Sequence, residues 1–260
     1  MGTKDFDLDI KIFADGANIQ SMVSAAEEGK VDGFTTNPTL MRQAQVQDYE
    51  SFAKSVLSHI KNLPISFEVF ADDFDEMEKQ AETISQWGSN VNVKIPICNT
   101  HGESSIPLIK RLLNKKVKLN ITAVFTKQQI DNIRSSIKTH DNVIVSIFGG
   151  RIADTGVDPI PLMKYAVGLF AEFKDVKVLW ASPREVINAY QAEEIGCDII
   201  TMTPDLIAKL KSSKNKDLTK FSIETVNMFY NDAKKAGYSI KQKLNARENR
   251  NELEGEISSL

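Results

Sequence analysis

The sequence predicts an α/β protein: a single (β/α)8 barrel with an extra C-terminal helix and a polar tail. Three observations carry that expectation. Short apolar runs alternate with longer helical patterns, which argues for a parallel sheet. Eight such strand–helix units follow one another in 260 residues, which suits a closed barrel. No G-x-G-x-x-G follows the first strand, which weighs against an open doubly wound sheet, the alternative α/β fold.

Taken in order, the first apolar run is 10–15, followed by a helical pattern at 19–28. The second run, 33–36, leads through T-T-N-P to a helical stretch at 49–60. Runs at 65–70 and 91–95 precede helical patterns at 74–87 and 106–113. Runs at 119–124 and 143–148 precede helices at 127–137 and 161–173. The last two units pair strands at 178–182 and 199–202 with helices at 185–195 and 204–210. One more helix is expected at 221–235, and a polar tail rich in Asn, Glu, Arg and Lys at 241–260. The expected organisation is therefore a barrel domain over 1–240 and a tail over 241–260.

Composition excludes several function classes. With 42% hydrophobic residues the chain has enough apolar material for one full core. A net charge of −3 and the lack of any basic stripe speak against nucleic acid as a partner. No stretch approaches the roughly 20 apolar residues of a membrane span, so no membrane partner is expected. The first ten residues hold no secretory apolar run, and Cys98 and Cys197 are too few for a disulfide framework. A cytoplasmic protein with reduced thiols is the expectation. His59, His101 and His140 are scattered, with no partner at metal-ligand spacing, so no metal site is expected.

Side chains alternate across a strand, so parity separates the barrel interior from the helix-facing side. In 65–70, Ser66, Glu68 and Phe70 oppose Ile65, Phe67 and Val69. In 91–95, Asn92 and Lys94 oppose Val91, Val93 and Ile95. In 119–124, Asn120 and Thr122 oppose Leu119, Ile121 and Ala123, and in 143–148, Ser146 and Phe148 oppose Val143, Val145 and Ile147. The apolar faces must meet the helices, which sends the polar faces to the barrel axis. Burying a charge there without a partner is expensive. These polar residues also lie toward the C-terminal ends of their strands, where barrel active sites form, as do Asp15 and Asn37. Lys94 stands out. It is either a salt-bridging lysine, with Glu68 as partner, or an amine nucleophile. Individually, Asp15 also fits a helix cap, the segment from Thr35 to Pro38 a turn, and Arg151 and Arg184 surface loops.

Seven segments together resemble the transaldolase family, in the family's order: F-A-D-G-A-N (13–18), G-F-T-T-N-P-T (33–39), V-N-V-K-I-P (91–96), L-N-I-T-A-V-F (119–125), S-I-F-G-G-R-I (146–152), W-A-S-P-R (180–184) and A-E-E-I-G-C-D-I-I-T (192–201). The resemblance spans about residues 12–210. It implies an enzyme that moves a dihydroxyacetone unit between sugar phosphates of the pentose phosphate pathway through a Schiff base on Lys94. It further implies that Asp15 moves protons at the donor hydroxyl and that Glu68 and Thr122 hold a catalytic water. By the same resemblance Thr36, Asn37, Asn120, Ser146 and Phe148 meet the dihydroxyacetone portion, and Arg151, Ser182 and Arg184 bind phosphate, for which planar guanidinium donors are suited. No cofactor is implied. Relatives of this size often form rings, so a homo-oligomer is expected.

Within the resemblance, Glu68 and Phe148 side with transfer. The related fructose-6-phosphate aldolase carries Gln and Tyr there. Gly16, Pro183 and Trp180 depart from the family's usual Thr, aromatic and smaller residue, on the rim and phosphate side. A related ketose phosphate therefore stays open as donor. A catalytically silent sugar-phosphate sensor is the non-enzyme alternative, although phosphate binding alone has no use for Lys94, Asp15, Glu68 and Thr122 together.

Overall fold

The computed structural model describes residues 8–240. Eight parallel strands close into a barrel in sequence order: β1 (Lys11–Asp15), β2 (Gly33–Thr35), β3 (Ile65–Glu68), β4 (Val91–Pro96), β5 (Leu119–Val124), β6 (Val143–Ile147), β7 (Val176–Trp180) and β8 (Ile199–Met202), with β1 pairing β8. The helices between them are α1 (Ile19–Glu27), α2 (Pro38–Gln43), α3 (Tyr49–His59), α4 (Phe74–Ser85), α5 (Ile106–Asn114), α6 (Lys127–Arg134), α7 (Gly149–Ala153), α8 (Ile160–Phe170), α9 (Ile187–Glu194) and α10 (Pro204–Ser213). The expected (β/α)8 barrel is the observed one.

Local chemistry sets the element ends. Asn18, Asp48, Asp73, Thr126 and Thr203 each accept a backbone N–H at the start of their helices. Asp15 is not among these caps: Asn18 caps α1, accepting from Ser21 N–H at 2.9 Å. The turn expected at Thr35–Pro38 also starts a short helix. Asn37 caps α2, accepting from Leu40 N–H, and Pro38 at its first position needs no donor there.

Four other expectations shift. β3 ends at Glu68 and not at residue 70, because Phe70 N–H leaves the ladder and donates to Gln80 Oε1. β7 lies two residues earlier than expected. Val176, Val178 and Trp180 carry its outward face, and Ser182 turns left-handed at φ 56°, which no strand continues. β6 gives way at Phe148 to α7, whose Gly149–Gly150 start hid it from helical periodicity. In β5, Ala123 does not extend the apolar face as a regular strand residue. It sits at φ 58°, and the β5–β6 register shifts between Ile121 and Val124.

The barrel has two cores. A large one lies between strands and helices and takes the outward side chains, such as Ile65, Phe67, Val93, Ile95, Ile121, Val145 and Trp180. A small one fills the axis with Phe13, Ile144, Leu179, Ala181 and Ile199, flanked by Phe148. Gly33 makes room for the Phe13 ring, since a Cβ there would meet it at 2.6 Å.

Residues from Asn215 form a second compact unit. Its helix α11 (Leu218–Lys235) is capped by Asp217 and so begins three residues before the expected 221. None of its residues is buried, and Phe221, Ile223, Val226, Met228, Phe229 and Tyr230 are exposed. The polar tail expected at 241–260 lies outside the described residues. Among the described residues no helix is long and apolar enough to cross a membrane.

Candidate active site

The site grows from the strand alternation. Glu68, Lys94 and Asn120 are successive register partners on β3, β4 and β5. All three point into the barrel and all are buried, Lys94 at 8% exposure. The Lys94 ammonium lies 3.0 Å from Glu68 Oε2 and donates to the Thr36 carbonyl at 2.5 Å. Lys94 is thus paired with Glu68, as its salt-bridge reading expects, and its amine stands in a polar interior.

Around it, each polar group is held by another. Ser146 Oγ donates to Asn120 Oδ1 at 2.7 Å, and Asn120 Nδ2 donates to Ser66 Oγ at 3.0 Å. Asp15 accepts from Thr35 Oγ1 at 2.9 Å and from Asn37 Nδ2 at 3.1 Å. Thr201 Oγ1 lies 2.5 Å from Thr35 Oγ1. A hydroxyl has one proton, so Thr35 donates to the carboxylate and Thr201 to Thr35. The Thr36 side chain is fully buried and donates to Ser66 O at 3.0 Å, so it is the Thr36 carbonyl that faces the amine.

Burial dominates the electrostatics. It pushes the Glu68 carboxyl up to about 6, against the opposing pull of Lys94. It also raises Asp15 above the ordinary carboxylate range, with Lys94, Thr35 and Asn37 acting the other way. Glu68 Oε1 and Thr122 Oγ1, both buried, have no hydrogen-bond partner among the described residues. Buried groups of this kind usually bind water or ligand.

The β5 irregularity shapes the rim. Regular alternation would send Phe125 to the helix layer. With one extra residue at Ala123, Val124 joins the outer core and Phe125 meets Phe148, ring centroids 5.5 Å apart. The Arg151 guanidinium lies 5.5 Å from the Phe148 centroid on that ring's face. Arg184 is engaged by Asp154, its Nε 3.0 and 3.1 Å from the two carboxylate oxygens. Asp154 is held below its usual range by that hydrogen bond and by the charges of Arg184 and Arg151. Gly150 allows this meeting of loops, because a Cβ there would lie 1.5 Å from Ser182 O. Trp180 is not on the rim. It is buried in the outer core against Gly149, where a Cβ would meet its ring at 2.7 Å.

Thus Lys94, Glu68, Thr36, Asn120 and Ser146 form the buried interior, and half-buried Asp15 and Asn37, hydrogen-bonded to each other, stand at its edge. Phe148 caps helix α7 after β6 and Arg151 lies within it, while Ser182 and Arg184 lie in the segment after β7. Sequence reasoning gave no role to Thr35, Thr201 or Tyr49. Parity places Thr35 and Thr201 inside. Tyr49 carries no such signal, since it reaches the site from a helix.

A family model described as Transaldolase/Fructose-6-phosphate aldolase matches residues 12–252. A protein of Dehalococcoides mccartyi named "Probable transaldolase" is 32% identical over 194 residues, covering 74% of this chain and 86% of that protein. One of the same name from Bdellovibrio bacteriovorus is 31% identical over 228 residues, covering 87% and 99%. Among solved structures, a 2,3-dimethylmalate lyase superposes with a TM-score of 0.56 at 10% identity, covering 92% of this chain and 87% of its own. A tryptophan synthase α subunit from Campylobacter jejuni superposes with a TM-score of 0.54 at 12% identity, covering 82% and 93%. These two likenesses concern the barrel fold alone.

Proposed function

Because the chain belongs to the transaldolase/fructose-6-phosphate aldolase family, we propose that it transfers a dihydroxyacetone unit from a ketose phosphate, fructose 6-phosphate or sedoheptulose 7-phosphate, to an aldose phosphate through a Schiff base on Lys94. The observation that carries this reading is the buried Lys94 amine, 3.0 Å from Glu68 and held by the Thr36 carbonyl. A lysine placed so is oriented for attack on a carbonyl brought to the strand ends.

In this mechanism the amine nitrogen bonds to the ketose C2, and the carbonyl oxygen leaves as water. Glu68, whose second oxygen has no partner among the described residues, and the Thr122 hydroxyl hold that water and pass protons. Asp15 takes the proton from the donor C4 hydroxyl as the C3–C4 bond breaks. The electron pair moves into the protonated imine, and the aldose phosphate departs. The three-carbon enamine then adds to the acceptor aldehyde, and water releases the product ketose. Asn37, Asn120 and Ser146 orient the dihydroxyacetone hydroxyls. Arg151, Ser182 and Arg184 bind the phosphate. Arg184 keeps an edge of its guanidinium beyond the Nε and Nη2 groups that meet Asp154. No metal or organic cofactor takes part. A cytoplasmic homo-oligomer serving the pentose phosphate pathway fits these substrates.

Phe125 and Phe148 place an apolar wall at the rim with no hydroxyl to protonate the enamine, which favours transfer over free release of dihydroxyacetone. The test is glyceraldehyde 3-phosphate release from fructose 6-phosphate with and without erythrose 4-phosphate. Release that depends on the acceptor is expected. Equal release without it makes the protein an aldolase and removes the role given to Glu68 and Phe148. No release in either arm makes the donor assignment wrong.

A further inference from the structure

The β2–β3 ladder ends with a substitution. Phe34 N–H donates to Pro64 O at 2.9 Å, and Thr36 N–H donates to Ser66 O at 3.3 Å. Phe34 and Thr35 are the register partners of Ile65 and Ser66. Parallel ladders alternate donors between strands at even spacing. The next rung would therefore run from Glu68 N–H to Thr36 O. Instead, Glu68 N–H donates to the Tyr49 hydroxyl at 2.8 Å, and Thr36 O accepts from Lys94 Nζ at 2.5 Å.

We propose that Tyr49 is a positioning residue for Lys94: its hydroxyl takes over the Glu68 rung and so frees the Thr36 carbonyl to hold the amine. This inference rests on the imine reading of Lys94 and explains how the chain sustains it. A backbone carbonyl beside a buried amine is a hydrogen-bond acceptor that cannot titrate. Taking it out of the ladder would strand a buried N–H, which is costly unless another acceptor is supplied. A tyrosine supplies one at a fixed place. Its ring makes edge contacts with Phe67, Phe70 and Trp87, at centroid distances of 6.1, 4.6 and 5.7 Å. Its hydroxyl also lies beside the Thr36 side chain. Tyr49 belongs to α3, so a residue of the outer layer sets the geometry of an inner one. The same hydroxyl anchors the main chain of Glu68, the amine's ion-pair partner, so both groups that meet Lys94 depend on it.

The variant Tyr49→Phe keeps the ring and removes the acceptor. Glu68 N–H is then expected to close onto Thr36 O, drawing that carbonyl from the amine. The measurement is the rate of borohydride-trapped adduct on Lys94 with fructose 6-phosphate, across about pH 6 to 9, beside kcat, KM and thermal unfolding. We expect trapping and kcat to fall about tenfold, KM to stay within about twofold, and the pH profile of trapping to shift. A merely structural role would lower the melting temperature and leave that profile in place. Wild-type trapping rates with an unchanged pH profile in Tyr49→Phe would overturn the inference alone. Absence of a Lys94 adduct in the wild-type protein would overturn the imine reading and this inference with it. Should Tyr49→Phe not fold, 3,5-difluorotyrosine in place of Tyr49 weakens the acceptor without moving it, and a severalfold loss of trapping is expected. An unchanged rate there also overturns the inference.

Discussion

Strands β2 to β5 turn Thr35, Ser66, Glu68, Asn92, Lys94 and Asn120 into the barrel, whereas β6, β7, β8 and β1, with Ala181 just after β7, turn in Ile144, Leu179, Ile199 and Phe13. The same alternation rule fills both sides, and only the residue types differ. On the apolar side the inward residues pack as any core does. On the polar side Ser66 and Asn120 are hydrogen-bonded, Glu68 and Lys94 are ion-paired, and Ser146, Asp15 and Thr201 at the strand ends of the other side bond to Asn120 and Thr35. Burial among these side chains raises Glu68 and Asp15. Stability is thus expected to depend mostly on one side of the axis and chemistry on the other.

The sharpest way to break that division is Lys94→Met. Turnover should fall by at least about a thousandfold, since no other amine can take its place in the mechanism. Folding should survive, because Glu68, left without its cation, can take up a proton in a site that already favours its neutral form. Steady-state kinetics beside chemical denaturation checks both halves. Leu179→Ala on the apolar side should do the reverse. Leu179 is fully buried, and the lost contacts and cavity should lower stability by about 3 kcal/mol, roughly a hundredfold in the folding equilibrium. Its kcat at a temperature where it stays folded should remain near that of the wild type, and a collapse of kcat there would deny the division.

Glu68→Gln sharpens the comparison through pH. In the wild type, protonation of Glu68 below about 6 removes the carboxylate, so the rate should drop as pH falls through that value. The variant should be slower on the order of ten- to a hundredfold at neutral pH and should lack that acid limb. Stability runs in the opposite sense. Because the folded-state value is raised from 4.5 to about 6, the folded protein binds more protons between those values, and stability declines as pH rises through the window. Asp15 is raised in the same direction, so Glu68→Gln should lessen the slope without abolishing it. Denaturation curves at a series of pH values measure this. The smallest effect expected is that of Phe148→Tyr at the rim. A hydroxyl that can protonate the enamine should raise acceptor-independent release severalfold while changing stability little.

Much of this was legible in the sequence because alternation is a strong signal. The opposed faces of 91–95 and 119–124 put Lys94, Asn120 and Thr122 on one side from residue types alone. What periodicity cannot register is a single residue that leaves the regular backbone. Ala123 and Ser182 adopt left-handed conformations that L-residues rarely take, and they redirect Phe125 and end β7 early. The short α2 and the glycine-led α7 were hidden because five or six residues do not complete two helical turns. Tyr49 was hidden for a different reason. Its contribution is a missing ladder bond, and a sequence does not display which backbone rung is left open. Asp154 likewise showed no link to Arg184, thirty residues away.

The most direct test of the central claim is borohydride reduction in the presence of fructose 6-phosphate, followed by mass analysis of the peptide that carries Lys94. The account predicts a reduced three-carbon or six-carbon adduct on Lys94, absent from Lys94→Met and from protein treated without the sugar. An adduct on a different lysine, or active turnover with none at all, would contradict it.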